Sequence, residues 1–275
     1  MARATLAVAA ADARAASRIR ADRVGKAYGS ANGDTPTSWA IRDVSFEVEE
    51  GEFFILLGPS GCGKSTLLRL LAGIIERSEG SITTGVGTAV SGPSRDRGMV
   101  FQSIDTPLFD WLTALGNVEF GLKIAGMRSR ERTQRAREFL SLVGLANHER
   151  KFPREMSGGM KQRLQIARAL ATDPAILLMD EPFASVDAQT RRILQNEVLR
   201  IWMATQKTVV YVTHDIREAL LLGQRIAVMS AGPSASIAEI YPWSSPYPRD
   251  ELDPEFVACY RAIEARIVGE VSKAW

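Results

Sequence analysis

The most constraining stretch of this chain is Gly58-Pro59-Ser60-Gly61-Cys62-Gly63-Lys64-Ser65-Thr66. It follows the apolar run Phe53-Phe54-Ile55-Leu56-Leu57 and opens the helical pattern Leu67-Leu68-Arg69-Leu70-Leu71-Ala72. A G-x-x-x-x-G-K-[ST] string between a strand and a helix predicts a phosphate cradle. Glycines let successive backbone N–H groups turn inward and approach an anion closely. The helix N-terminus adds partial positive charge. Lys64 is expected to reach the β- and γ-phosphates of a nucleoside triphosphate, and the Ser65 hydroxyl to hold Mg²⁺. The competing explanation is a chance glycine turn. It fails because every motif position is filled and both flanks fit.

Composition excludes several alternatives. With 275 residues, 45% apolar and 24% charged, the chain has ample core for one large or two small domains. A net charge of +2 gives no case for nucleic-acid binding. Cys62 sits inside the phosphate loop and Cys259 lies far away, so a disulfide framework is not expected and a reducing interior fits. No run approaches the roughly 18 apolar residues of a membrane span. Residues 1–17 are Ala-rich, and Asp12 interrupts what would be the apolar core of a secretory signal. An organelle-transit segment competes with the default, a poorly ordered extension.

Along the chain, β-like runs at 19–24, 40–48 and 53–57 alternate with a polar segment, Gly29 to Ser38, that reads as a hairpin loop. After the loop's helix come two short glycine-rich strands within 80–98, then Met99-Val100-Phe101-Gln102. From about 103 to 156 the pattern is helical and more polar. Ser129 to Val143 forms a charged helix with Ala136, Phe139, Leu140 and Val143 as its apolar stripe, closed by Gly144. Its arginines (Arg130, Arg132, Arg135, Arg137) suggest a nucleic-acid patch or a solvated face; interspersed glutamates and missing stacking aromatics favour the face. The runs Ile176–Met179 and Val209–Val212 are apolar throughout, which suits a mainly parallel sheet covered by helices.

Asp180-Glu181 ends the first of those runs, where open α/β sheets bind ligands. Asp180 is expected to complete the Mg²⁺ shell and Glu181 to polarise the attacking water. The 116 positions from Lys64 to Asp180 exceed a bare βαβ crossover, so an inserted α-subdomain is expected. Its last helix begins at Ser157-Gly158-Gly159-Met160-Lys161-Gln162-Arg163 and stops at Asp173-Pro174. Ser157 caps it, and Gly158-Gly159 leave the first amides bare for a second anion contact. One compact chain would not place two such helix caps on one γ-phosphate, whereas a second copy would.

These residues, in this order, resemble the nucleotide-binding subunits of ABC transporters from about residue 18 to 230. Ser157-Gly158-Gly159 resembles the family signature, with Met156 and Met160 replacing its first and last letters. The resemblance implies an α/β P-loop NTPase core of ABC type with a mixed sheet, an N-terminal antiparallel β-subdomain and an inserted α-helical subdomain. It places an extension at 1–17, the ATPase domain at 18–232 with the helical subdomain at about 103–172, and a tail with a helix at 233–275. It further implies that Gln102 ligates Mg²⁺ with Ser65 and Asp180, and senses the membrane partner. Ala184-Ser185-Val186-Asp187 matches the segment that communicates across the dimer. His214 matches the switch histidine on the γ-phosphate, and Tyr28 the adenine stacker, with Trp39 as competitor. His148 reads as a surface loop residue.

Implied catalytic residues are Glu181, His214, Lys64 and Gln102. Implied ATP contacts are Tyr28, Gly58 through Thr66, Ser157, Gly158, Gly159 and Asp187. The implied activity is ATP hydrolysis between two copies joined head to tail, coupled to a separate permease at the cytoplasmic face of the membrane and indirectly to an external solute-binding protein. Nucleic acid is not among the implied partners. The Met-Lys-Gln-Arg ending, the segment Pro107 to Thr113 and the tail around Pro248-Arg249-Asp250 and Asp253-Pro254-Glu255-Phe256 are similar to the nitrate/sulfonate/taurine importer branch. Residues 107–112 line either the groove for a permease helix or ordinary subdomain core. A cytosolic ABC ATPase serving assembly or repair is the alternative function.

Overall fold

The computed structural model describes residues 18–29, 38–102, 108–184 and 186–274. The expectations for residues 1–17, most of the 29–38 loop, Pro107 and Ser185 lie outside those residues. Two compact units are present. One runs to Ser94 and resumes at Lys207; the other is Arg95–Gln206. The helical segment expected at 103–172 falls within the second unit.

The first unit carries two sheets. β1 (Ile19–Tyr28) and β2 (Ser38–Val48) pair antiparallel, and β4 (Glu79–Thr84) and β5 (Thr88–Ala89) extend them in the order β2-β1-β4-β5. The other sheet region runs β10 (Ile237–Pro242), β9 (Arg225–Met229), β3 (Phe53–Leu57), β8 (Thr208–Thr213). β3 is parallel to both β8 and β9, and β10 is antiparallel to β9. All of β3 and β8 is buried, which is why both read as unbroken apolar runs. The Phe46 and Phe54 rings stack at 5.3 Å and join the two sheets. At the start of β3, burial pushes the Glu52 carboxyl up, and Arg225 at 3.2 Å works against that shift. Helix α1 (Lys64–Ala72) packs on β8 and β2.

In the second unit, β6 (Arg97–Val100) and β7 (Ile176–Asp180) are parallel. Helices α2 (Ala114–Ile124), α3 (Ser129–Leu142) and α4 (Gly158–Ala171) pack on one another, and α5 (Ala188–Thr205) follows β7. Helix α3 starts at Ser129 as expected, and Gly144, at φ +71, follows its end. Its arginines are partly solvated, as expected: Arg130 and Arg137 are exposed, and Arg132 and Arg135 are half-buried. Arg135 donates to the Ala171 carbonyl at 2.9 Å, and Arg137 pairs with Glu149 at 2.8 Å. Asn117 on α2 is fully buried. Its amide accepts from Phe109 N–H at 2.8 Å and donates to the Phe109, Leu112 and Thr113 carbonyls at 3.0–3.1 Å. This single side chain shapes the turn at 109–113.

The first unit ends with α6 (Ile216–Leu222), between β8 and β9, and α7 (Pro254–Ala274), the tail helix. On α7, Phe256 and Ile263 are buried, and Tyr260 and Ile267 are half-buried.

Asn117→Ala takes the partner from the Phe109 amide and the Leu112 carbonyl, while the Phe109 and Thr113 carbonyls keep backbone N–H donors. It is expected to lower the stability of the second unit by about 1–3 kcal/mol, the cost of stranding buried polar groups, measured by urea unfolding.

Candidate nucleotide site

The phosphate loop leaves the carboxyl end of β3. Gly61 and Gly63 lie at φ +81 and +88, the left-handed region glycine adopts without strain. A Cβ on Gly63 would come within 2.4 Å of Ile41 Cγ2 and 3.0 Å of the Ala40 carbonyl, so only glycine fits there. Gly63 is also the N-cap of α1 and brings no side-chain cap, which leaves the helix's first amides for an anion. Lys64 is 4% exposed. Its Nζ donates to the Gly58 and Pro59 carbonyls at 2.8 Å each and lies 3.9 Å from Cys62 Sγ. Cys62 is buried, and burial pushes its thiol up, so the loop uses its amide and not a thiolate.

Leu57 of β3 and Thr213 of β8 are register partners, so Gly58 and His214 leave adjacent strand ends. His214 is exposed. Ala40 and Ile41, which touch Gly63, belong to β2, so the β1–β2 end carrying Tyr28 and Trp39 borders the loop. Tyr28 is 48% exposed with Lys26 Nζ 5.2 Å from its ring centroid, whereas half-buried Trp39 has the Arg42 guanidinium 4.9 Å from its own.

In the second unit Val100 and Met179 are register partners, so Gln102 and the Asp180-Glu181 pair also follow adjacent strand ends. Gln102 Nε2 donates to Glu181 Oε2 at 3.4 Å. Asp180 is buried. Glu181 is half-buried and holds φ +40, a strained conformation for a residue with a Cβ. Ser157 caps α4, accepting from Met160 N–H at 3.4 Å, and Ser157 and Gly158 are exposed. A Cβ on Gly159 would lie 3.1 Å from Thr190 Cγ2. Thr190 N–H in turn donates to Asp187, the N-cap of α5, at 3.0 Å. The signature turn and Asp187 therefore adjoin. The Thr190 N–H holds the Asp187 carboxyl below its ordinary range.

His148 departs from the expected surface loop: it closes a short 3₁₀ turn (Ala146–His148) and is half-buried. Two supporting residues were missed. Buried Glu218 accepts from Tyr211 and Thr213, and Arg249 clasps carbonyls of α6. A charged residue amid Ala219-Leu220-Leu221-Leu222 was the available signal for Glu218.

The donors fit Mg²⁺ with a nucleotide. Ser65 in the first unit, and Gln102 and Asp180 in the second, carry the hard oxygen donors that Mg²⁺ prefers; in either unit they are too few for an all-protein cage, which suits an ion that keeps phosphate and water ligands. Among the described residues no group of three His, Cys, Asp or Glu forms a metal cluster.

The ABC transporter family pattern matches residues 41–184. An uncharacterised ABC transporter ATP-binding protein from Methanocaldococcus jannaschii is 46% identical over 86% of each chain. A taurine import ATP-binding protein from Yersinia pestis is 45% identical over 80% of this chain and 88% of its own. A nitrate import ATP-binding protein from Synechocystis sp. is 44% identical over 78% and 79%. The dimeric structure of an ATP-binding cassette in a post-hydrolysis state bound to ADP and Pi superposes with a TM-score of 0.71. It is 31% identical and covers 83% of this chain and 100% of its own.

Cys62→Ala is expected to keep ATP affinity within about threefold, whereas Lys64→Ala loses more than about tenfold, because a phosphate contact at a charged group contributes roughly 1.5–3 kcal/mol; fluorescent-nucleotide titration measures both. Because the Asp187 value is lowered by folding, its cap is fully present above the ordinary carboxylate range and is lost as pH falls through the lowered value. Hydrogen exchange at the Thr190 amide, corrected for intrinsic rate, is expected to stay slow down to mildly acidic pH in the parent. It should be fast throughout that range in Asp187→Ala.

Proposed function

The chain belongs to the ABC transporter family, and within it we propose that this protein is the ATP-hydrolysing subunit of an importer for small anionic solutes of the nitrate, sulfonate or taurine kind. It is an ATPase whose turnover is coupled to transport. The observation that carries the chemistry is the glycine cradle with buried Lys64, beside His214 at the neighbouring strand end.

Two copies bind head to tail, as supported by the dimeric relatives. ATP meets the Gly58–Thr66 amides and Lys64 of one copy and the Ser157-Gly158-Gly159 turn and Asp187 of the other. Lys64 exchanges its two loop carbonyls for the β- and γ-phosphates. Tyr28, the more exposed aromatic, stacks on adenine. Glu181 polarises the attacking water, held toward Gln102 by their hydrogen bond, and His214 contacts the γ-phosphate. Ser65, Gln102 and Asp180 would supply oxygen ligands to Mg²⁺, which would neutralise charge at the phosphates. Hydrolysis removes the shared ligand and the two copies separate, an order–release switch.

The permease reads that switch through the segment after Gln102. Leu108 is buried as subdomain core, while Trp111 is 73% exposed and packs at 5.3 Å on Phe109, whose ring meets Phe120 at 4.5 Å. This aromatic cluster offers an apolar seat for a cytoplasmic helix. Among the described residues no helix is long and apolar enough to cross a membrane. In the proposed arrangement the permease is a separate chain and this subunit sits peripherally at the cytoplasmic face. The solute is selected by that permease and by an external binding protein.

Glu181→Gln is expected to bind ATP, hydrolyse it at least about a hundredfold more slowly, in line with loss of a general base, and accumulate as an ATP-dependent dimer in size-exclusion chromatography. Parent-like turnover would remove Glu181 from its role.

A further inference from the structure

Donors of the segment after β10 converge on one short helix. α6 has seven residues, so its last carbonyls find no partner within the helix. Tail side chains supply the partners. Trp243 Nε1 donates to the Leu220 carbonyl at 2.9 Å, and the Tyr247 hydroxyl to the Leu222 carbonyl at 2.7 Å. Arg249 Nη1 donates to the Leu220 and Gly223 carbonyls at 2.6 and 2.5 Å. The rest of the guanidinium is occupied as well: Nε bonds the Ser245 carbonyl at 3.0 Å and Nη2 the Trp243 carbonyl at 3.3 Å. Its Cζ lies 4.1 Å from the Tyr247 ring centroid and 5.6 Å from that of Trp243. A planar five-donor fork suits this arrangement; a lysine ammonium does not.

The other end of α6 is fastened to the residues around His214. Asp215 caps the helix, accepting from Arg217 N–H at 2.8 Å and Glu218 N–H at 3.3 Å. Thr213 Oγ1 accepts from Asp215 N–H at 3.0 Å and donates to Glu218, and Tyr211 OH donates to the same carboxylate at 2.7 Å. Both neighbours of His214 are thus tied to α6, while the imidazole itself is exposed. A seven-residue helix does not hold its shape alone, and short helices fray from an uncapped end. Securing its carboxyl end therefore limits the excursions of the loop at its amino end.

We infer that Arg249 is a positioning residue for hydrolysis: with Trp243 and Tyr247 it clamps α6, and through α6 it holds His214 at the working angle to the γ-phosphate. The inference rests on the reading of His214 given above. Displacing residues 243–249 then slows turnover without touching the phosphate loop, which makes the tail a point of control over the ATPase.

ATP hydrolysis by the full chain tests this. Arg249→Ala is expected to lower kcat about tenfold, the scale of one lost charged hydrogen-bond set, while KM for ATP stays within about twofold. Arg249→Lys falls between the two. The chain has two histidines, His148 and His214, so their imidazole proton resonances can be followed separately. The His214 signal should shift or broaden in Arg249→Ala, and the His148 signal should not. Unchanged kcat, or an unchanged His214 signal, overturns the clamp even if the melting temperature falls. His214→Ala separates the two levels. If it hydrolyses ATP at the parent rate, the role of His214 itself fails; if it is inactive while Arg249→Ala matches the parent, only the clamp fails. Should Arg249→Ala not fold, Tyr247→Phe removes one donor to α6 and carries the same comparison, with an expected loss in kcat of about threefold.

Discussion

A cradle of backbone amides exists only where consecutive peptide units can turn toward one point, and that requirement organises the first unit. Gly63 must reach φ +88 while Ile41 and Ala40 press against its Cα. The contact is possible because β2 passes behind the loop, anchored to β3 by the Phe46–Phe54 stack. The loop's position in turn depends on β3 lying wholly buried beside β8. Burial of these apolar strands is non-directional, but the pairing register is not, and register is what brings Gly58 and His214 to one edge.

Lys64 shows how such a loop manages a buried cation. An ammonium that is 4% exposed needs partners, and the loop's own carbonyls supply them. Those carbonyls hold the side chain over the cradle, so a phosphate competes with two hydrogen bonds and does not meet a freely rotating side chain. The second unit uses a different device. Glu181 sits at φ +40 after a fully buried strand, and the cost of that conformation, about 1–3 kcal/mol, is carried by the strand and by the Gln102 contact. Strain here aims a carboxylate that an extended backbone would direct elsewhere.

Much of this architecture is legible in sequence because its signals are local. The glycine spacing, the two apolar runs, the Ser157 cap and the Gly144 stop all depend on chemistry within a few residues of each other. The supporting polar residues were not legible, since their partners lie far along the chain. Asn117 reads as one polar position on a helix, and Glu218 as one acid among leucines. Arg249 reads only as one letter of the tail pattern at 248–250, with no partner indicated. Arg135 of α3 shows the same limit: its helix face reads as solvated, and only the fold brings the Ala171 carbonyl to accept from it.

By itself, then, the order of residues determined that the family is that of ABC ATPases, and which side chains are the candidates to bind and cleave a triphosphate. Backbone conformational limits and hydrogen-bond capacity are properties of residue type and spacing, and they survive in a linear string. Only the tertiary structure decided that Lys64 rests on the Gly58 and Pro59 carbonyls, that Gln102 meets Glu181, that the Ser157 turn adjoins Asp187, and that the tail closes on α6. Those relations are set by strand register and by helix ends meeting segments dozens of residues away, and no local pattern encodes where such partners will arrive.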